Sequence, residues 1–179
     1  MTEVRSIPSN EEIREQISKV DNSRDKAFLS VLYLTGARIS EIVKRLKVKD
    51  IQQEQLGDRL FYVFYVYTEK RKEKKAVFRR NGIPYDNNKF YLENIINYIK
   101  RFGLKEQDIL FNFDRKTGQR VVKKWMDCNP HFLRHIRVSH LTSDYGFNAR
   151  ELMDYIGWSD IRTTVIYTHL DWKHTATKL

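Results

Sequence analysis

The chain of 179 residues has one cysteine, Cys128, which excludes an internal disulfide and any zinc site built from several thiolates. Cys128 has no obvious local partner for nucleophilic chemistry and reads as a packing residue. Long apolar runs are missing as well. The longest, Leu60 to Tyr67, falls far short of the roughly 20 residues that a membrane-spanning helix requires. The opening "MTEVRSIPSNEE" carries no hydrophobic signal core, so a soluble, intracellular, cytoplasmic protein is expected. No G-x-x-x-x-G-K-[ST] loop, internal repeat or low-complexity stretch is visible. Acidic residues are in deficit: 23 Asp and Glu face 33 Lys and Arg, a formal charge of +10. That excess needs an anion, and nucleic acid leads. A membrane surface is demoted because the positive charge is spread over several segments and not gathered on one amphipathic helix. The hydrophobic content of 41% supports a real core, read as a single domain over residues 1–179.

Local signals set out the elements. Ser9 and Glu12 have capping-box spacing, and Ile13, Ile17 and Val20 follow at helical intervals. The stretch "SRDKAFLSVLYLTGARISEIVKRL" places Ala27, Val31 and Leu34 on one face, breaks at Gly36 and resumes through Ile39, Ile42, Val43 and Leu46. Two helices are therefore predicted, with Arg38 at their junction. Aromatic and β-branched residues from Leu60 to Tyr67, then Ala76 to Phe78 beyond a charged tip, predict a hairpin. Helical spacing returns from Phe90 to Ile99, and "RFGLKEQDILFNFDRKTGQR" reads as irregular. Asn129 and Pro130 read as cap and first residue of a helix that stops at Gly146, and two short helices, "NARELMDYIG" and "DIRTTVIYTHL", close the chain.

Three segments carry chemistry: "TGARISEI", "HFLRHIRVSHLTSDYG" and "IGWSDIRTTVIYTHL". Their order and spacing resemble the catalytic domain of the tyrosine recombinases, the phage-type integrases, from about Ser9 to Leu170. An isolated H-x-x-R pair would arise by chance on many helices; the ordered set, ending in T-x-x-Y-T-H, is specific. The resemblance implies a mainly α fold with a small antiparallel hairpin or three-stranded sheet. It also implies site-specific DNA strand breakage and rejoining through a 3′-phosphotyrosyl bond, as in the integrases of mobile elements and viruses. Covalent catalysis of this kind keeps the bond energy in the enzyme, so no cofactor is expected. Double-stranded DNA is the implied partner, with self-association on DNA as a dimer or tetramer at synapsis and no membrane contact. The N-terminal helical domain that clamps DNA in full-length relatives is expected to be absent from this chain.

Transferred residue by residue, the resemblance makes Tyr167 the nucleophile and Arg38 and Arg134 the clamp on the non-bridging phosphate oxygens, where a guanidinium fork places two parallel hydrogen bonds. Glu41 orients its neighbour. As a plain surface cation, Arg38 would merely pair with Glu41 at i,i+3. His131 shares a helix face with Arg134 and is assigned proton transfer near the tyrosine oxygen. His131 and His135 also stand at the i,i+4 spacing of metal ligands, but no third ligand is evident and no metal is expected. Trp158 stands where the family more often has histidine; its indole N–H donates a hydrogen bond but exchanges no proton at neutral pH. The hairpin string "TEKRKEKKAVF" lacks the family's glycines, and counting back from "AVF" aligns Lys70 with the lysine that protonates the leaving 5′-oxygen. Lys72, Lys74 and Lys75 remain alternatives for that role, and with Lys123 and Lys124 they are expected to hold DNA. A type IB topoisomerase shares the same residue set, yet the C-terminal motif is that of a recombinase. A basic, non-catalytic DNA-binding protein is the rival from another class, and no motif position has been lost in its favour.

The Lys70 assignment can be tested directly, because a 5′-bridging sulfur leaves as a thiolate without a proton donor. Lys70→Ala is expected to slow cleavage of ordinary DNA by about 100- to 10,000-fold, with the phosphorothiolate substrate restoring most of the rate. Slow cleavage of both substrates would make Lys70 a DNA-holding residue only.

Overall fold

The computed structural model describes residues 6–69 and 76–165. Helix α1, Asn10–Ser18, opens with the expected capping box: the Glu12 backbone N–H donates to the Ser9 hydroxyl at 3.2 Å, and the Ser9 N–H donates to the Glu12 carboxylate at 2.7 Å. Helix α2, Ser23–Thr35, is the centre of the molecule. Every residue from Ala27 to Thr35 is buried, not only one face, because α1, α4 (Tyr85–Phe102) and α6 (Pro130–Ser143) pack around it.

Helix α3 runs only from Ile39 to Ile42. The predicted continuation to Leu46 fails because Lys44 turns to φ 57; Arg45 and Leu46 still donate to the Ile42 carbonyl, while Lys44, Leu46, Val48 and Lys49 exchange backbone bonds with segment 106–111. The Lys44 N–H donates to the Phe111 carbonyl at 3.0 Å, Leu110 to Leu46 at 2.8 Å and Val48 to Asp108 at 3.1 Å. A 3-10 turn, Val48–Asp50, leads from there into the sheet.

The sheet is antiparallel in the order β1 (Ile51–Leu56), β2 (Arg59–Glu69), β3 (Ala76–Pro84). Phe61 faces Pro84 and Glu69 faces Ala76, so the expected hairpin is present, with β1 added. Strand β1, "IQQEQL", shows no apolar alternation because it is an almost wholly exposed edge. On β2, Tyr62, Phe64, Val66 and Thr68 are buried toward the helices.

Helix α5, Arg115–Met126, corrects the irregular reading of its first half. Gly118 is an unfavourable residue for a helix interior on propensity. Tertiary packing overrides that, since a Cβ there would stand 2.9 Å from Ile39 Cγ2 and 3.1 Å from Phe28 Cζ. Helix α6 starts as expected, the Phe132 N–H donating to the Asn129 side chain at 2.8 Å. Helices α7, Ala149–Ile156, and α8, Arg162–Val165, complete the described chain. Most of the buried apolar residues form one cluster around α2; Val138, Leu141, Leu152 and Ile156 form a smaller one between α6 and α7. Cys128 is buried. No described helix is long and apolar enough to cross a membrane.

A polar layer runs through this interior on α6. Arg137 is buried with its guanidinium 5.1 Å from the Tyr33 ring centre and 5.5 Å from that of Tyr145. His140, 3% exposed, places Nε2 2.7 Å from the Pro8 carbonyl, so Nε2 bears a proton, and Nδ1 2.8 Å from the Tyr33 hydroxyl. Burial pushes the His140 pKa below the ordinary imidazole value, against the opposing pulls of the Pro8 carbonyl and Asp144; half-buried His135 is lowered for the same reason. The folded state therefore holds these rings neutral where the unfolded chain takes up protons, and stability drops as pH falls below about 6.5. Thermal unfolding midpoints should fall between pH 7 and pH 5, and His140→Gln should flatten that decline. A variant profile parallel to that of the parent would acquit His140.

Candidate active site

The site is organised by one buried carboxylate. Glu41, third residue of the α3 turn and 4% exposed, accepts from the Arg38 backbone N–H at 2.8 Å and from Arg38 Nη1 at 3.1 Å. Its Oε2 also accepts from Arg79 Nη2 at 3.3 Å and lies 3.8 Å from Arg134 Nη1. Three guanidiniums thus face one carboxylate, a formal excess of two positive charges. Arg79 and Arg134 are buried, while the Arg38 side chain is 46% exposed. Arg38 does make the i,i+3 pair, but that pair belongs to a buried network and not to a helix surface.

The two buried arginines are fixed by the ends of two helices. Arg134 donates to the Gly36 carbonyl at 2.7 Å and to the Ile156 carbonyl at 3.2 Å; Arg79 donates to the Thr35 carbonyl at 3.2 Å and to the Tyr155 carbonyl. Consecutive carbonyls at the C-termini of α2 and α7, the negative ends of both helix dipoles, therefore meet cations. The chain can turn there because Gly36 adopts φ 58, and a Cβ at that position would come within 2.6 Å of Ile156 Cδ1. Burial lowers the Arg79 pKa from its ordinary value, and the Glu41 charge opposes that shift.

On α6, the Asn129 cap and Pro130 set the helix start so that His131 lies exposed in the first turn, one turn before Arg134. Half-buried Trp158 follows the end of α7 and lies with its ring centre 5.7 Å from the Arg134 guanidinium carbon. The structure thus brings Arg38, Glu41, Arg134 and Trp158 together, with His131 beside Arg134 on its helix. Lys123 and Lys124 are exposed on α5, where Lys124 Nζ stands 4.2 Å from the Trp125 ring centre, and they are not part of the Glu41 cluster. Tyr167, Lys70, Lys72, Lys74 and Lys75 lie outside the described residues. Among the described residues, no group of three His, Cys, Asp or Glu side chains is placed to hold a metal ion.

Arg79 is the residue that sequence reasoning missed. In "FRRNG" two adjacent arginines point to opposite faces of β3, and Arg79 faces Val66 across the sheet, on the buried side. Extending the alternation of β2 into β3 would have marked Arg79 as the inward one. Tyr155 is tied in from α7: its hydroxyl donates to the Leu34 carbonyl at 2.7 Å, and its backbone carbonyl accepts from Asn81 Nδ2 at 2.7 Å.

Comparison with known proteins places this arrangement. The phage integrase family model matches residues 8–174. Tyrosine recombinase XerC of Escherichia coli O127:H6 (strain E2348/69 / EPEC) is 29% identical over 166 residues, covering 86% of this chain and 51% of that protein. The chain spans about half the length of the curated relatives it matches. Among solved structures, XerA recombinase superposes with a TM-score of 0.69 at 22% identity, covering 99% of this chain and 65% of that one. XerH recombinase bound to its difH substrate superposes with a TM-score of 0.63 at 19% identity, covering 97% and 54%. At these identities the structural likeness is one of fold.

Removing one partner of a buried ion pair leaves uncompensated charge, at a cost of about 3–5 kcal/mol. Glu41→Gln is expected to lower the free energy of unfolding by about that amount in urea titration, since two buried guanidiniums lose their counter-charge. A loss no larger than that of an exposed substitution would show that the four helix-end carbonyls hold the arginines by themselves.

Proposed function

The chain belongs to the phage integrase family, and on that premise we propose that it cleaves and rejoins DNA strands as a site-specific tyrosine recombinase, with Tyr167 as nucleophile. The observation that carries the reading is the Glu41 cluster, an excess of buried positive charge that reaches solvent at Arg38. A low-dielectric site with fixed guanidinium donors stabilises the charge that builds on a phosphate under attack, without reorganising during the reaction. Arg38 meets the non-bridging oxygens most directly, and Arg134 adds its positive charge to the clamp from the buried side.

In the forward step the Tyr167 oxygen forms a bond to phosphorus as the bond from phosphorus to the 5′-oxygen breaks. The phenolic proton passes to His131, and the leaving oxygen takes a proton from Lys70 or from a neighbouring hairpin lysine. Attack by a 5′-hydroxyl reverses each transfer and frees Tyr167, so no external energy source enters the balance. Trp158 donates its indole N–H and packs beside Arg134. Rejoining to a different strand requires two cleaved duplexes held side by side, which supports self-association on DNA as a dimer or tetramer. A net charge of +10 with exposed Lys123 and Lys124 suits a duplex partner, and the protein then works with DNA in the cytoplasm.

Incubation with a nicked suicide duplex, followed by denaturing electrophoresis, is expected to give a covalent protein–DNA band. Tyr167→Phe is expected to abolish that band while leaving duplex affinity within about twofold, because only the attacking oxygen is removed. A band that persists in Tyr167→Phe moves the nucleophile to another tyrosine, and no band from the parent chain overturns the reading.

A further inference from the structure

The face of the sheet turned away from the helices is aromatic. With Tyr62, Phe64 and Val66 directed into the core, the alternate residues Phe61, Val63, Tyr65 and Tyr67 lie on the opposite face, Val63 buried and the three rings half-buried. Phe78 of β3, the cross-strand partner of Tyr67, joins them, and the two rings meet edge to face with centres 5.7 Å apart. Phe78 is 56% exposed. An antiparallel sheet with one solvated face ordinarily presents polar side chains there.

Cations frame these rings. The Arg45 guanidinium stands 4.8 Å from the Tyr67 ring centre, that of Arg59 stands 5.6 Å from Phe61, and exposed Arg80 is the cross-strand partner of Tyr65. Between the sheet and the turn that follows α3 lies an open cleft of about 360 Å³. Arg45, Lys47 and Lys49 line it from the turn; Tyr65, Tyr67 and Phe78 line it from the sheet. Its one nearby carboxylate from the turn, Asp50, accepts from the Lys47 backbone N–H at 2.9 Å. Glu41 also lines the cleft, which therefore adjoins the cluster holding Arg38 and Arg134.

One exposed ring, Phe78, with half-buried Tyr65 and Tyr67 beside Lys and Arg, suits a ligand that is itself a flat ring on an anionic chain. Bases inside a duplex stack on one another and offer no free face; an unpaired nucleotide does. An apolar protein segment would be poorly matched to so cationic a rim. We propose that this cleft is a stacking site for an unpaired nucleobase of the DNA strand bound at the neighbouring arginines, with Phe78 as the exposed platform and Arg45, Lys47 and Lys49 meeting the flanking phosphates. The proposal rests on the DNA-cleaving reading above. In strand exchange a cleaved strand must leave its complement before it joins another, and this site receives the first base released.

The test measures fluorescence anisotropy of the full chain with three probes: a short single-stranded oligonucleotide, the same strand with abasic sites, and a duplex. Phe78→Ala is expected to weaken binding of the base-bearing strand by about 5- to 150-fold. Binding of the abasic strand and of the duplex should change less than twofold, and Phe78→Trp should restore the parent affinity. Phe78 is exposed, so its truncation leaves no cavity, and unchanged circular dichroism checks the fold. Equal loss on base-bearing and abasic strands, or no loss on either, overturns the stacking site. A parent chain that forms the covalent band yet binds both strands equally overturns only this proposal, whereas a chain that forms no band and binds no probe overturns the DNA reading with it.

Discussion

The molecule is arranged around the need to neutralise the Glu41 carboxylate away from water. An isolated buried carboxylate is too costly to keep ionised, so it must recruit cations, and those cations must themselves be satisfied. Arg38, Arg79 and Arg134 come from three separate elements and converge on the same two oxygens. The two buried arginines then turn their remaining donors to carbonyls at the ends of α2 and α7. One ion thereby sets the mutual placement of a sheet strand, a one-turn helix and three longer helices, and the small cluster of Val138, Leu141, Leu152 and Ile156 packs in the space so defined.

Within that frame the arginines differ in kind. Arg79 is a tie between sheet and helices, buried and bonded on both nitrogen branches. Arg134 is buried yet lies against Trp158, and Arg38 is half-open to solvent. Coulomb attraction to a phosphate is strong where water is scarce, but the phosphate must still be able to arrive. In the proposed reaction, two cations below and one at the surface meet both demands, the field coming from beneath and the contact being made at the rim. One turn beyond Arg134, Arg137 among its tyrosines and His140 under Pro8 fasten α6 to α2 and to the start of the chain. The helix that carries His131 and Arg134 is thus held at Arg134, Arg137 and His140.

The proposed stacking site lies on the outer face of the sheet, and its position follows from the Glu41 cluster. Arg79 anchors β3 by its inward face, so Phe78, the residue before it, must face out. The turn after α3 carries Arg45, Lys47 and Lys49 across from it because Lys44, Leu46, Val48 and Lys49 bond to segment 106–111 and the chain does not continue the helix. Cation and ring meet through these two unrelated constraints, and the cleft between them opens beside Glu41.

Sequence alone determined whatever depends on neighbours within a few residues. The Ser9 capping box, the Asn129 and Pro130 helix start and the hairpin were legible there, because caps, turns and periodicity act locally, whereas Arg38, Glu41, His131, Arg134 and Trp158 were singled out by the family resemblance. The mainly α architecture with a small antiparallel sheet followed from those signals and from the family resemblance. Tertiary structure decided what local rules contradict or leave blank. Helix α5 tolerates Gly118 only because Phe28 and Ile39 press against it. Helix α3 stops at Ile42 because Lys44 turns to φ 57 and gives its amide to the distant Phe111 carbonyl, and β1 has no pattern of its own because a paired edge needs none. Arg38 and Arg134 were equal partners in the sequence; their exposures of 46% and 5% separate a surface contact from a buried one. Arg79 was silent for the same reason: a charge becomes part of a site only when the fold removes it from water and sets a carboxylate within reach.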